Sequence, residues 1–407
     1  MRRKIPRTAI WTIGFILFLA FARDVVSNGR PLYCKIGGTS YFPGLRTIWK
    51  DPDALFNQPV LDSIRTYKLW KTFPYDAGAP LVFAPIAFSA GERDTTCARL
   101  PPGVMQRKVK YAYRHWFGTD DSGFDVAAGV VSGARVAALT GMMVMGIAMI
   151  IGLFLGAIAG YYGDNRLRLK RSTLVFSTLG VLIAFIYAFV VREYSLQNDN
   201  NGIEWMKSLG IFLFILLVFN LLGRLSNKIP YLNSPVLIPA DMIVMRMAEV
   251  FSALPKLILL ISIAAILQEN RNIWIILAVI GMFSWVGVAT YVRAELLRIR
   301  ELDFISAARG MGYRELIVLW KHAFPNALRS TLIAGAFGVG SAILIEASLS
   351  YLGFGDPSLN GASWGNLLVQ SSAANISWWV ILPASLAIGS TIMALNAIGE
   401  SLSQQTS

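Results

Sequence analysis

The sequence has few charged side chains and few residues of the kinds that carry out covalent chemistry. Asp, Glu, Lys and Arg make up 15% of its 407 residues, and there are two histidines and two cysteines. It lacks the G-x-x-x-x-G-K-[ST] loop that binds nucleotide phosphates, and it lacks the H-E-x-x-H and G-x-S-x-G motifs of hydrolases. The two histidines, His115 and His322, are far apart in the chain. We therefore expect no catalytic residues, no metal site and no cofactor in this chain.

Apolar residues dominate instead. The chain is 55% hydrophobic, with a mean hydropathy of +0.53, which is typical of a protein that crosses a membrane several times. The net charge of +13 does not indicate nucleic-acid binding, because the basic residues flank apolar runs and form no stripe with interleaved aromatic residues. We therefore predict that most of the chain is embedded in a lipid membrane.

Eight apolar runs approach or reach the roughly 20 residues that a helix needs to cross a bilayer. They cover residues 8–28, 130–163, 172–191, 208–223, 247–268, 273–292, 330–351 and 377–399. The first run is short, and Ala20-Phe21-Ala22 resembles a signal-peptide cleavage site, but we expect the run to remain as a transmembrane helix. Basic residues in the short loops predict that both termini and residues 293–328 are cytoplasmic.

Residues 29–128 form one long polar segment on the predicted outer side. Aromatic residues and short β-favouring runs with Pro and Gly breaks predict a small mixed α/β domain there. Cys34 and Cys97 both lie in this segment, and an oxidising compartment would allow a disulfide between them. The alternative is that two isolated thiols share the segment by chance.

The most informative segment is ELDFISAARGMGYRELIVLWKHAFPNAL, residues 301–328. Its pattern predicts two short amphipathic helices separated by Gly310 and Gly312, with the second helix ending at Pro325. Such a segment either docks on another protein or lies on lipid. The candidate docking residues are Ala307, Ala308, Arg309, Gly310, Gly312, Tyr313, Leu316, Ile317, Trp320 and Pro325.

Two further features lie inside apolar runs. Gly152, Gly156 and Gly160 form consecutive G-x-x-x-G steps, which allow a neighbouring helix to approach closely, either from a second subunit or from this chain. Glu346 lies near the outer end of another run, where it serves either a structural role or the mouth of a solute path.

Residues 301–328 resemble the EAA loop of ABC importer permeases, with Ala307, Ala308, Gly312 and Pro325 at matching positions. Ser306 and Phe324 depart from that pattern. Three further segments, 117–135, 346–355 and 363–368, resemble motifs of the C-type subunit of dipeptide and oligopeptide permeases. Residues 28–43 and 83–88 resemble the Yej-type branch, whose outer segment is likewise enlarged. Residues 164–240 have no counterpart in the family and indicate an inserted transmembrane hairpin.

The resemblance implies an all-α polytopic membrane protein, the type I ABC importer transmembrane domain with about eight spans, carrying a small mixed α/β extracytoplasmic domain. Its predicted parts are the first helix at residues 1–28, the outer domain at 29–128, one helix at 129–163, the inserted hairpin at 164–240 and the permease core at 241–407.

The resemblance also implies that this chain is a permease subunit of a bacterial inner-membrane importer for peptides or peptide-like solutes. Such an importer works by alternating access. The implied partners are a second homologous permease, two cytoplasmic ATPase subunits or domains that bind ATP and Mg²⁺, and an extracytoplasmic solute-binding protein. The alternatives are a secondary transporter or channel without an ATPase, and a non-transporting membrane scaffold.

Overall fold

A computed structural model describes most of the membrane portion and part of the outer segment. The described residues are 6–36, 39–42, 44, 81–94, 97–105, 113–197, 203–226, 231, 233–267, 273–355, 363–370 and 377–406. The chain divides into two compact units, one formed by residues 1–156 and 248–407 and the other by residues 157–247.

Helices account for most of the described chain. The helices of the larger unit and of the segments that lead into it are α1 (Arg7–Val26), α2 (Val126–Ala157, continued by a π-helical turn at Ile158–Tyr162), α6 (Ala240–Ala253), α7 (Lys256–Leu267), α8 (Ile273–Ile299), α9 (Asp303–Gly310), α10 (Glu315–Ile317, continued by a π-helical turn at Val318–Ala323), α11 (Phe324–Tyr351), α12 (Trp364–Gln370) and α13 (Trp378–Thr406). Within the described residues, seven helices are long and apolar enough to cross a membrane, or eight if α6 and α7 form one broken span. The expectation of about eight spans is confirmed.

The predicted continuous span over residues 247–268 is wrong. α6 ends at Ala253 and α7 begins at Lys256, and the two helices are bent by 75° relative to each other. The physical reason is Pro255, which lacks a backbone N–H and whose ring would collide with the preceding helical turn. The chain therefore forms a broken pair of helices in this region.

The unit formed by residues 157–247 contains a helical hairpin. Its helices are α3 (Arg171–Phe185, continued by a π-helical turn at Ile186–Val190), the short α4 (Glu193–Gln197) and α5 (Ile203–Leu225). At the base of the hairpin, β4 (Arg168–Lys170) pairs antiparallel with β5 (Pro235–Leu237). Most side chains of α3 and α5 remain exposed to the surroundings, as expected for helices that face lipid.

The outer segment contributes a small sheet. β1 (Tyr33–Ile36) lies between β2 (Thr39–Tyr41) and β3 (Leu81–Val82), and both pairings are antiparallel. Cys34 belongs to β1, opposite Tyr41 and Leu81. The expected β component of the outer domain is confirmed in the described residues, whereas residues 45–80 lie outside them.

α2 and α11 are the central helices of the larger unit, because residues of each belong to both main apolar clusters. One cluster joins α1, α2, α11, α12 and α13 through Ile16, Val126, Ala134, Ala137, Ile343, Trp364, Leu367, Val380 and Ala384. The other joins α2, α7, α8 and α11 through Val144, Leu260, Ile276, Leu277, Ile280, Ala342 and Leu349. A displacement of α11 would therefore disturb the packing of most of this unit.

The G-x-x-x-G glycines of α2 pack within the chain. A Cβ on Gly156 would lie 2.6 Å from the carbonyl oxygen of Ala289, and one on Gly152 would lie 2.6 Å from Cβ of Val288. Both neighbours belong to α8, so close approach of two helices of the same chain accounts for these two glycines. Gly160 is buried in the π-helical turn that follows α2.

Candidate functional site

The candidate docking segment links α8 to α11. It contains α9, a break at residues 311–314, α10 and the π-helical turn at Val318–Ala323. The predicted end of the second helix at Pro325 is wrong, because the backbone stays helical from α10 into α11 and Pro325 lies in the first turn of α11. The proline lies where the hydrogen-bond pattern changes from π-helical to α-helical, in the first turn of α11. The segment is therefore continuous with one of the two central helices of the larger unit.

One side of the segment is anchored in the protein. Ile305, Val318 and Ala323 have no solvent-accessible surface, and Ala308 and Leu319 are almost completely buried. These apolar contacts come from both helical pieces, so the segment is held at two places along its length. We conclude that it cannot swing independently of the helices below it.

The other side carries an exposed apolar surface. Leu316, Ile317 and Trp320 are 61%, 41% and 52% exposed, and they lie together on α10 and the following turn. The ring of Trp320 packs against that of Phe324, with 4.7 Å between ring centroids, which supports the indole from below. These three residues form what we call the docking surface. Phe304 and Met311 are also exposed, and the sequence pattern did not single them out.

The break between the two helical pieces depends on Gly312. Its φ is +80°, a left-handed conformation that glycine adopts freely and other residues adopt only with strain. Its N–H donates to the carbonyl oxygen of Arg309 at 2.9 Å, which closes the turn. Gly310 is the last residue of α9. Both glycines therefore lie where the sequence predicted the break.

An ion pair spans the same break. Nε of Arg309 lies 3.0 Å from Oε1 of Glu315, so the end of α9 is tied to the start of α10. Both side chains are partly exposed, which limits the contribution of the pair to stability to about 1 kcal/mol or less. Its effect is to fix the angle between the two pieces. Tyr313 lies in the break and is 44% exposed.

The two alanines of the predicted small face point to different sides. Ala308 is buried, whereas Ala307 is exposed. Consecutive residues of an α-helix are about 100° apart around its axis, so a single face cannot hold both side chains equally. Ala307 lies on the outer side of the segment, and Ala308 on the anchored side.

Glu346 lies at the far end of α11 from the docking surface, about 40 Å along the helix axis. It is buried, and its Oε1 accepts hydrogen bonds from the hydroxyls of Ser350 at 2.7 Å and Ser363 at 2.9 Å. Ser363 in turn accepts the N–H of Gly365 at the start of α12. This arrangement joins α11 to α12 and favours the structural role for Glu346.

The G-T-D-x-x-G-x-D stretch at 118–125 connects the outer segment to the helices. The carbonyl oxygen of Thr119 accepts the indole N–H of Trp379 in α13. Oδ1 of Asp120 accepts the N–H groups of Ser122 and Phe124, and burial raises the pKa of this carboxyl above its usual range. Oδ1 of Asp125 accepts the N–H of Ala128 and so caps α2. The motif therefore fixes where the chain enters the membrane portion.

The predicted disulfide stays a prediction. Cys97 is fully buried, and the side chain of Cys34 lies outside the described residues.

Comparison with known proteins finds a family match in the C-terminal part of the chain. Residues 238–405 match the family described as the binding-protein-dependent transport system inner membrane component. This range contains the docking segment, α11, α12 and most of α13. The part of the chain with the exposed apolar surface is thus the part that the family shares.

Similarity to individual proteins extends over nearly the whole chain. The inner membrane ABC transporter permease YejE of Escherichia coli K12 is 25% identical over 394 residues, which cover 97% of this chain and 90% of that protein. A putative peptide permease of Brucella suis is 28% identical, with 84% and 82% of the two chains covered. The peptidoglycan transport system permease YejE of Agrobacterium fabrum is 22% identical, with 97% and 87% covered.

The family match covers residues 238–405, and the similarity to YejE extends over 97% of the chain. Neither comparison points to a secondary transporter or a scaffold. Residues 238–405 therefore match the inner-membrane component of binding-protein-dependent transport systems, and the chain as a whole is similar to ABC transporter permeases of the Yej type.

Proposed function

We propose that this permease carries peptides or peptide-like solutes across the bacterial inner membrane, and that residues 301–328 receive the movement of cytoplasmic ATPase subunits. The observation that carries the coupling role is the docking surface. Leu316, Ile317 and Trp320 are exposed on a segment whose other side is fully anchored. An exposed apolar patch on an anchored helical element is typical of a surface that another protein covers.

The connection to α11 gives this surface a mechanical consequence. Because α10, the π-helical turn and α11 follow one another without a break in the helical backbone, a push on the docking surface acts along α11. α11 takes part in both apolar clusters of the larger unit. Packed cores change between discrete arrangements rather than deforming smoothly. Movement of the docking surface would thus shift the helices between inward-open and outward-open arrangements.

The remaining partners follow from the family. A second homologous permease would complete the solute path, since one chain supplies half of such an assembly. The ATPase subunits would bind ATP and Mg²⁺, and a solute-binding protein would deliver the solute on the outer side. Both chain termini and the docking surface would face the cytoplasm, as the distribution of basic residues predicts.

The solute class is supported by the similarity to permeases named for peptide and peptidoglycan transport. Uptake of labelled oligopeptides should be measured in vesicles that contain the complete assembly with its solute-binding protein. We expect uptake that requires ATP on the cytoplasmic side and stops when a non-hydrolysable ATP analogue replaces ATP.

Vesicles that contain the assembly without the solute-binding protein are the control and should take up little peptide. Uptake driven by an ion gradient in the absence of ATP would contradict the proposal. Peptide uptake that is absent while ATP-driven uptake of another solute is present would overturn the peptide assignment alone.

A further inference from the structure

Three side chains of the outer segment that are separated in sequence meet in one place. The ligand atoms of Asp94, Cys97 and His115, one from each residue, all lie within 4.8 Å of one another. Cys97 and His115 have no solvent-accessible surface, and the side chain of Asp94 is 13% exposed. A carboxylate, a thiol and an imidazole are therefore brought together in a nearly closed space.

The orientation of His115 leaves one ring nitrogen for a ligand. Nδ1 lies 2.7 Å from Oδ2 of Asp125, and its N–H donates a hydrogen bond to that carboxylate. Nε2 is buried and has no hydrogen-bond partner within the described part of the chain. It points toward Asp94, whose Oδ2 is 3.9 Å away. A histidine held through Nδ1 by a carboxylate, with Nε2 directed at other ligand atoms, is the arrangement found at zinc sites in proteins.

The surroundings hold this histidine rigidly. Oδ1 of Asp125 accepts the N–H of Ala128 at 2.7 Å, so the carboxylate that orients the ring is itself fixed at the start of α2. The ring of Phe88 stacks on the imidazole with 4.1 Å between ring centroids. His115 can therefore neither rotate nor reach water easily.

The other two side chains are held by their backbone. The N–H of Cys97 donates to the carbonyl oxygen of Asp94 at 3.1 Å. The N–H of Asp94 donates to the carbonyl oxygen of Gly123 at 2.8 Å. The carbonyl oxygen of Cys97 accepts the hydroxyl of Thr119. Asp94 and Cys97 are thus both tied to the segment before α2.

The distances between the ligand atoms, all within 4.8 Å, approach those around a tetrahedral ion and need adjustments of up to about 1 Å. Bonds from Zn²⁺ to nitrogen, oxygen and sulfur of about 2.0–2.3 Å place neighbouring ligand atoms about 3.3–3.8 Å apart. The 3.9 Å between Nε2 of His115 and Oδ2 of Asp94 needs a shift of only a few tenths of an ångström. A thiolate with an imidazole selects zinc over magnesium or calcium, which prefer oxygen ligands.

We propose that Asp94, Cys97 and His115 bind one Zn²⁺ ion, with water as the fourth ligand at the partly exposed edge of Asp94. The ion ties Asp94 and Cys97 to the segment that enters α2, and so fixes this part of the outer segment on the membrane portion. This site does not depend on which solute the permease carries. It excludes the disulfide between Cys34 and Cys97, because a disulfide sulfur cannot supply the thiolate.

The test measures zinc bound to the full-length protein, purified in detergent without chelators, by elemental mass spectrometry. We expect about one zinc per chain in the wild type and in Cys34→Ser. We expect binding at least about 10-fold weaker in Cys97→Ser, since loss of even an outer-shell partner weakens metal sites by 10- to 100-fold. Cys34→Ser is the matched control because it removes the other thiol of the same segment.

A second readout identifies the thiolate directly. After exchange with Co²⁺, the wild type and Cys34→Ser should show a thiolate-to-cobalt charge-transfer absorption in the near ultraviolet, and Cys97→Ser should not. Wild-type protein that neither contains zinc nor takes it up would overturn the proposal. So would equal zinc content in all three proteins, equal loss in both variants, or a Cys34–Cys97 disulfide found by non-reducing mass spectrometry.

Discussion

Replacing Trp320 with alanine is expected to lower ATP-driven uptake by at least about 10-fold while the permease remains in the membrane at normal levels. Tryptophan side chains at the centre of protein interfaces often contribute about 2 kcal/mol or more to binding, which corresponds to more than a tenfold change in affinity. Trp320 is 52% exposed and supported by Phe324, so its loss removes interface area. The buried neighbours Val318 and Leu319 stay in place, and the fold should persist.

Trp11→Ala is the matched control for this prediction. Trp11 is also an exposed tryptophan, 77% accessible, but it lies on α1 and far in sequence from the docking surface. The two variants should differ in the amount of ATPase that co-purifies with the permease, reduced only for Trp320→Ala. Equal retention of ATPase and equal transport in both variants would show that Trp320 does not contact the ATPase.

Replacing Gly312 with valine is expected to separate ATP hydrolysis from transport. A residue with a side chain at φ +80° costs about 1–2 kcal/mol of backbone strain, and β-branched valine is poorly suited to it. No heavy atom lies within 4 Å of a Cβ built on Gly312, so the effect comes from the backbone and not from a collision. Relief of the strain would turn α10 relative to α9. The assembled complex should then hydrolyse ATP but import little solute.

Two further variants separate this explanation from general damage. Gly312→Asn should retain more coupled transport than Gly312→Val, because asparagine tolerates left-handed backbone conformations better. Gly103→Val introduces the same strain at φ +81°, also in open space, but in the outer segment. Its transport per assembled complex should stay close to that of the wild type. If all three variants lose coupling equally, the conformation of Gly312 has no special role.

The docking segment could be predicted largely from sequence because its signals are local. The spacing of Leu316, Ile317 and Trp320 places them on one helical stripe. A glycine near a helix end commonly marks a break, and Gly312 is such a glycine. The error at Pro325 arose because proline ends a helix only in its interior and is favoured in a first turn. Sequence gave no indication that a π-helical turn would carry the helix as far as Pro325.

Features that depend on distant contacts could not be predicted. G-x-x-x-G spacing indicates close helix packing but does not say which helix packs there, and only the structure identifies α8 as the neighbour of Gly156. The sequence predicts no metal site, because its two histidines are far apart in the chain. The neighbours of His115 are Asp94 and Cys97, about 20 residues away. They are held by a backbone hydrogen bond from Asp94 to Gly123 and by a hydrogen bond from the Thr119 hydroxyl to Cys97.

The most direct measurement is photo-crosslinking in intact cells from a benzoylphenylalanine placed at position 317, the centre of the docking surface. The account predicts a crosslinked product that contains this permease and a cytoplasmic ATPase, with a yield that changes when ATP is depleted. Crosslinks to lipid alone, or to proteins of the outer side, would contradict the central claim that this surface receives the movement of the ATPase.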